Sequence, residues 1–253
     1  MRMRKKKNGE KRMLACADIH VTNPTEYKGK WRSLADGRTV LCAEIGCGKG
    51  GFITELARRN PDVFYVGFEK VPDVIVMAME KIKNAGLSNV VFVCGDAEAL
   101  PDMFEEGELD ALYLNFSDPW PKKKHAKRRL TYTGFLEKYR YVLKDGGKIF
   151  FKTDNRPLFD FSLEQFEKAN IPLSDVTFDL HNSVYEADNI HTEYEDTFSA
   201  KGFSINRLVG TIDKSLRPLE PAEADTDETD GTDGTDETKK TDEAEPADGN
   251  SEA

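Results

Sequence analysis

The sequence contains no Cys-x-x-Cys pair. Its four cysteines, Cys16, Cys42, Cys47 and Cys94, form neither a disulfide framework nor a zinc knuckle. The histidines, His20, His125, His181 and His191, are scattered and fall in no ligand pattern, so no metal is expected. No apolar run approaches the ~20 residues that a membrane span needs. The basic start, MRMRKKKNGEKRM, is not followed by the apolar stretch of a secretory signal. These absences lead to the expectation of a reduced, cytoplasmic protein with no membrane partner. From Glu220 to Ala253 there is no aromatic residue and no Ile, Leu, Val or Met. Such a segment cannot repay its ordering entropy and reads as a disordered tail.

Charge is unevenly spread. The chain has 253 residues and a formal charge of -10. Its last 34 residues hold 14 acidic and 2 basic side chains, which leaves 32 acidic and 34 basic in the other 219. The body is therefore slightly basic, and its cations cluster. One run holds Arg2, Arg4, Lys5, Lys6, Lys7, Lys11 and Arg12; another holds Lys122, Lys123, Lys124, His125, Lys127, Arg128 and Arg129. Sharp basic patches on a near-neutral body suit a phosphate-rich partner; the plain alternative is two solvated surface runs. The chain divides into a basic arm and lead-in over 1–38, a core domain over 39–215, and an acidic low-complexity tail over 216–253.

Apolar periodicity alternates between strand and helix along the core. Strands are expected over 39–45, 63–69, 90–94, 109–115 and 148–152, with helices over 52–59, 71–84, 131–143 and 157–168. Two more strands are expected near 176–180 and 203–211. This order predicts an α/β fold, a mostly parallel sheet with helices on both faces. Ligands of such sheets sit at the carboxyl ends of the strands. The unusual polar residues fall there in register: Glu44, Gly46 and Gly48, then Glu69, Asp96, Asn115 with Asp118, and Thr153 with Asp154.

Glu44-Ile45-Gly46-Cys47-Gly48-Lys49-Gly50 is a glycine-rich turn between a strand and a helix. It lacks the GK[ST] ending of a phosphate-binding Walker loop. Glu69, about 20 residues on, has the position of an acid that accepts from ribose hydroxyls. Asp96 has two readings, a contact to an adenine amino group or a cap of the next turn. Glu44 would repel a pyrophosphate but suits a cationic sulfonium amino acid. With Glu69, Gly95-Asp96-Ala97 and the late strand pair, the turn resembles the class I S-adenosylmethionine-dependent methyltransferases. That resemblance implies a Rossmann-like, seven-stranded sheet with a final antiparallel strand, and S-adenosyl-L-methionine as cofactor.

The stretch from Asn115 to Leu130, NFSDPWPKKKHAKRRL, sets an acid before a Pro-Trp-Pro and a basic run. Pro119 and Pro121 stiffen it. Trp120 either packs against core or contacts a base. A carboxylate beside a phosphate-binding surface needs a specific partner, and guanine offers one in its N1–H and N2–H₂ donors. With Lys152-Thr153-Asp154-Asn155 and Thr192-Glu193-Tyr194-Glu195, the chain resembles the single-subunit bacterial tRNA (guanine-N7-)-methyltransferases over residues 12–213. The resemblance implies methyl transfer to N7 of guanosine at position 46 in the variable loop of tRNA. It places Glu44, Gly46, Gly48, Glu69, Asp96 and Asp118 at the cofactor, with Asp118 the catalytic residue. Lys122, Asp154, Thr192, Tyr194 and Glu195 fall at the substrate, and Lys123, Lys124, His125, Lys127, Arg128 and Arg129 on the RNA. No obligate protein partner is implied, and a monomer and a homodimer both fit. Without the resemblance, Thr192 reads as a turn cap and Glu195 as a solvated acid. Another RNA methyltransferase of this fold and a non-catalytic RNA-binding module are the competing readings.

Overall fold

The computed structural model describes residues 8–219. Most of the basic arm, Arg2 to Lys7, and the acidic tail from Glu220 onward lie outside the described residues.

Seven strands form one sheet in the order β3-β2-β1-β4-β5-β7-β6. They are β1 Val40–Ile45, β2 Val63–Glu69, β3 Val90–Cys94, β4 Leu109–Asn115, β5 Leu143–Thr153, β6 Leu173–Thr177 and β7 Asn206–Thr211. The pairs from β3 across to β5 are parallel. β7 runs antiparallel to both its neighbours, as the Rossmann-like expectation required.

Strand periodicity of two divides the core. Leu41, Ala43 and Ile45 of β1 face one layer, with Trp31, Phe104, Leu136, Tyr139, Phe159 and Phe166. Cys42 faces the other, with Ile53 and Leu56 of α2 (Gly51–Arg59) and Ile75, Met79 and Ile82 of α3 (Pro72–Asn84). The first layer is closed by α4 (Leu100–Met103), α5 (Thr133–Val142) and α6 (Arg156–Lys168). Burying each large apolar side chain contributes about 1.5–3 kcal/mol. The lead-in before β1 serves both layers: Val21, Trp31 and Ala35 join the first, and Cys16 joins the second, against which Met13 of a short helix over Gly9–Leu14 (α1) also packs. Trp31 is fully buried, stacks on Phe104 with centroids 5.0 Å apart, and donates Nε1–H to the Met103 carbonyl at 2.8 Å. Val21 N donates to Phe92 O, and Phe92 N to Ile19 O, each at 2.8 Å. These bonds cover the outer edge of β3.

Several boundaries differ from expectation. β5 starts at Leu143, because the chain pairs once with Leu109, bulges, and resumes at Lys148 opposite Ala111. β6 lies at 173–177 rather than 176–180. Asp175 adopts a positive φ of 51° inside a register shift, and Leu180 turns inward to open a 3₁₀ turn. β7 starts at Asn206 rather than 203, since Phe203 is exposed in the preceding turn. Residues 216–219, expected in the tail, are tied to the core: Leu219 N donates to Lys168 O at 2.8 Å and Asn170 Nδ2 to Arg217 O at 3.0 Å. A seventh helix, α7 (Glu193–Ser199), stands where only connecting chain was expected. Its sequence signal was present: Thr192 and Glu195 form a capping box.

Candidate functional site

The glycine turn leaves β1 with Gly46 at φ 74° and Gly48 at φ 56°, in left-handed conformations that favour glycine. A Cβ on Gly46 would meet nothing within 4 Å, so the turn presents open backbone. Gly50 serves a different end, since a Cβ there would lie 2.6 Å from that of Ala78; its absence lets α2 and α3 approach. Both Gly46 N and Cys47 N donate to Phe68 O at 2.8 Å. Glu69 braces the turn, accepting from Gly48 N at 3.3 Å through Oε2 and from Val71 N at 2.9 Å through Oε1.

Glu44 is the unusual group. It is 2% exposed, and its Oε1 accepts from Asn115 Nδ2 at 3.0 Å. Its Oε2 is buried without a hydrogen-bond partner. Burial pushes its pKa up to about 7, against the Asn115 hydrogen bond and the positive charge of Lys152. An orphaned carboxylate oxygen of this kind calls for a donor, best a cation. Glu44 lines a cavity of about 450 Å³ with Gly46, Gly48, Asn115, Phe116 and Tyr194. Asp96 is exposed, and its Oδ1 accepts from Glu98 N at 3.1 Å to cap a 3₁₀ turn.

Asp118 is exposed in the loop after β4, between Phe116 and Trp120, which hold positive φ of 52° and 40°. Non-glycine residues in that region cost about 1–2 kcal/mol each. Trp120 joins neither core cluster. It is half-buried, with the Arg128 guanidinium 5.1 Å over its ring and His125 edge-on at 5.6 Å. The basic run forms a 3₁₀ helix over Lys123–Arg128. Lys122, Lys123, Lys124 and Arg128 are exposed, while His125 and Lys127 are half-buried. Burial and neighbouring cations lower the pKa of His125 and favour its neutral ring. Arg129 turns inward: its Nε donates to Pro119 O at 3.0 Å and Nη2 to Trp120 O at 2.9 Å. It clamps the loop instead of presenting its charge to solvent.

Across the cavity, α7 carries Tyr194. Its hydroxyl donates to Asp154 Oδ2 at 3.3 Å, and its ring stacks 4.1 Å from Phe198 and lies 5.0 Å from Phe116. Thr192 Oγ1 accepts from Glu195 N at 2.9 Å. Glu195 is fully buried. It accepts from Lys152, from His181 Nε2 at 2.9 Å, from Asn189 Nδ2 at 2.8 Å and from Thr192 N at 3.3 Å. The carboxylate is thus enclosed by this chain's own groups and is not the solvated acid of the plain reading.

A family model described as a putative methyltransferase matches residues 38–208. The tRNA (guanine-N(7)-)-methyltransferase of Bacillus subtilis (strain 168) is 49% identical over 207 residues, covering 82% of this chain and 97% of its own. The chain belongs to the tRNA (guanine-N7-)-methyltransferase family. The enzyme of the same description from Listeria monocytogenes serotype 4b (strain F2365) is 46% identical, covering 85% of this chain and all of its own. Among solved structures, the 16S rRNA methyltransferase KamB aligns with a TM-score of 0.56 at 16% identity, over 73% of this chain and 93% of its own. At that identity the likeness speaks for the fold alone.

The fold of this methyltransferase-family chain brings Glu44, Gly46 and Gly48 to one cavity wall and Thr192 and Tyr194 to the other. Glu69 sits directly behind the glycines. The histidines are not all scattered: His181 and His191 stack with centroids 4.8 Å apart, and their nitrogens lie within 4.8 Å of a Glu195 oxygen. His191 faces Asp196 and Glu186 with its two nitrogens, each at 2.6 Å. Burial works against its charge, yet these two carboxylates outweigh it and raise the pKa. Lys152 is the functional candidate that sequence reasoning passed over. It reads as the last residue of an apolar strand, and its signals are its place at the head of Lys152-Thr153-Asp154-Asn155 and a charge at a position where β5 is buried on both faces.

Proposed function

We propose that this chain transfers the methyl group of S-adenosyl-L-methionine to N7 of guanosine at position 46 in the variable loop of tRNA. The observation that carries the reading is the unsatisfied, buried Oε2 of Glu44 beside an open glycine turn. It fits a ligand with a cationic amino-acid head. The tRNA (guanine-N(7)-)-methyltransferase activity of the Bacillus and Listeria relatives supports the substrate.

When bound, S-adenosylmethionine supplies an electrophilic methyl carbon on a sulfonium centre and leaves as a neutral thioether. Glu44 holds the cationic head, Gly46 and Gly48 give close backbone approach, and Glu69 and Asp96 take the ribose and adenine ends. N7 of guanine already carries a free lone pair, so no side chain has to remove a proton before attack. The work of the protein is alignment of N7 with the methyl carbon. Positive charge develops on the guanine ring as the bond forms, and Asp118 eases it, the role the family resemblance gives it. Asp154, held by Tyr194, offers acceptors to the N1–H and N2–H₂ edge, and Lys122 and Thr192 meet the same nucleoside. Lys123, Lys124, His125, Lys127 and Arg128 meet the RNA backbone. Four unpaired cysteines, three of them buried, suit a reducing cytoplasm, and no helix among the described residues is long and apolar enough to cross a membrane.

The test is to map the modified position. Unmodified tRNA treated with the protein and cofactor becomes cleavable by reduction and aniline at N7-methylguanosine. Cleavage at the variable-loop guanosine, lost when that base is adenosine, supports the reading. Cleavage at another guanosine overturns the assignment of position.

A further inference from the structure

We propose that Lys152 is a positioning residue for this reaction: its buried ammonium fastens the first turn of α7, and with it Tyr194, to the end of β5 that carries Asp154. The inference rests on the functional reading above and extends it to a residue with no contact to the reacting atoms.

The geometry is specific. Lys152 is 5% exposed at the carboxyl end of β5, two residues before Asp154. Its Nζ donates to Ile190 O at 2.7 Å, to Asn189 Oδ1 at 3.1 Å and to Glu195. All three ammonium hydrogens therefore point at the segment that leads into and opens α7. Glu195 is the N3 residue of the α7 capping box, so the ion pair and the cap share one carboxylate. The two wings of the substrate side then meet where Tyr194 donates to Asp154. Lys152 also lies 5.3 Å from the ring centroid of Phe52 and 5.8 Å from that of Phe116, both of which line the cofactor cavity.

A buried ion pair is weak evidence for stability, because desolvation offsets much of the attraction. Its use here is registry. A neutral, apolar residue at 152 would fill the space but leave α7 free to shift by fractions of an ångström, enough to misplace a reacting base. Burial lowers the pKa of Lys152, opposed by Glu195. The charges of Glu44 and Arg207 also reach Lys152, one raising its pKa and the other lowering it. Glu44 in turn feels Lys152 and Glu69. In the β4–β5 register Lys152 also pairs with Asn115, which donates to Glu44, so it adjoins both the substrate helix and the cofactor carboxylate.

The experiment compares wild type with Lys152→Met and with Lys152→Met/Glu195→Gln, the second leaving no buried charge alone. Three readouts are taken on the full chain. Hydrogen exchange over residues 189–199, with neither cofactor nor tRNA present, is expected to rise in both variants while β1 stays protected. The pH midpoint of cofactor binding set by Glu44 is expected to move up in both. For tRNA methylation, kcat is expected to fall about tenfold or more, with KM for tRNA changed less than about twofold. The double variant is expected to melt near wild type and still show all three changes. Unchanged exchange over 189–199 in a folded variant overturns the proposal, and so does a kcat loss that vanishes in the double variant. If the wild type methylates no tRNA, the functional reading fails by itself, and hydrogen exchange still decides the role of Lys152.

Discussion

Replacing Glu44 by Gln tests the cofactor end most sharply. With a pKa of about 7, the folded apo protein keeps Glu44 half-protonated at neutral pH. A cationic ligand head binds the ionised form, so binding must expel the proton. One-tenth of the protein is ionised at pH 6 and nearly all at pH 8, which weakens cofactor binding about tenfold between pH 8 and pH 6. Titration calorimetry in two buffers of different ionisation heat counts the released proton. Glu44→Gln keeps the shape and removes the titration, so this component of the pH slope disappears. At pH 8 it also loses a charge-assisted contact, about 1.5–3 kcal/mol, or about 10- to 100-fold in Kd. Titration of the ligand's own amine is common to both proteins and cancels in the comparison. The sign for stability is opposite. Glu44 has a folded pKa above its ordinary 4.5, so the native state binds more protons and apo stability falls as pH rises from 4.5 to about 7. The full cost is up to about 3 kcal/mol, and Glu44→Gln removes it. Identical pH slopes for the two proteins would refute the reasoning.

Three further outcomes are expected. Asp118→Ala lowers kcat for methyl transfer about 10²-fold at unchanged fold, as for loss of a charge-stabilising group; near-normal turnover in a single-turnover assay contradicts its role. Lys123→Ala with Lys124→Ala weakens tRNA binding and reduces the slope of log K against log salt by about 1.5–2, which a filter-binding salt series reads. His191 is raised in pKa by Asp196 and Glu186. Its bracing of α7 is therefore fully present below its ordinary 6.5 and is lost as pH rises through the raised value. His191→Gln should flatten the difference in melting temperature between pH 6 and pH 8, and an unchanged difference counts against the brace.

The strands from β1 to β4 were legible in the sequence because each is an apolar run ended by glycine, acid or asparagine, and both faces are buried. Helices α2, α3, α5 and α6 were legible from their apolar stripes. The last third was harder. α7 is seven residues long, too short to show an amphipathic stripe, and its only mark is the Thr192–Glu195 cap. β6 misled because the alternating Val176-Thr177-Phe178 has the strand period, yet Val176 and Phe178 are exposed and the register breaks at Asp175. At the site, residue types at strand ends pointed to Glu44 and Glu69 before any geometry was known. The enclosure of Glu195 and the part of Lys152 could not be read in this way. They depend on a contact between residues 43 positions apart, which periodicity does not report. Arg129 is the same case: one more cation in a basic run by sequence, but a clamp on the Pro119 and Trp120 carbonyls in the fold.

The central claim is methyl transfer to guanine N7 in tRNA. Purified protein is incubated with methyl-labelled S-adenosylmethionine and unmodified tRNA, and the product is digested to nucleosides and separated. The account predicts label in N7-methylguanosine alone. Label in N6-methyladenosine or any other nucleoside, with none in N7-methylguanosine, would contradict it.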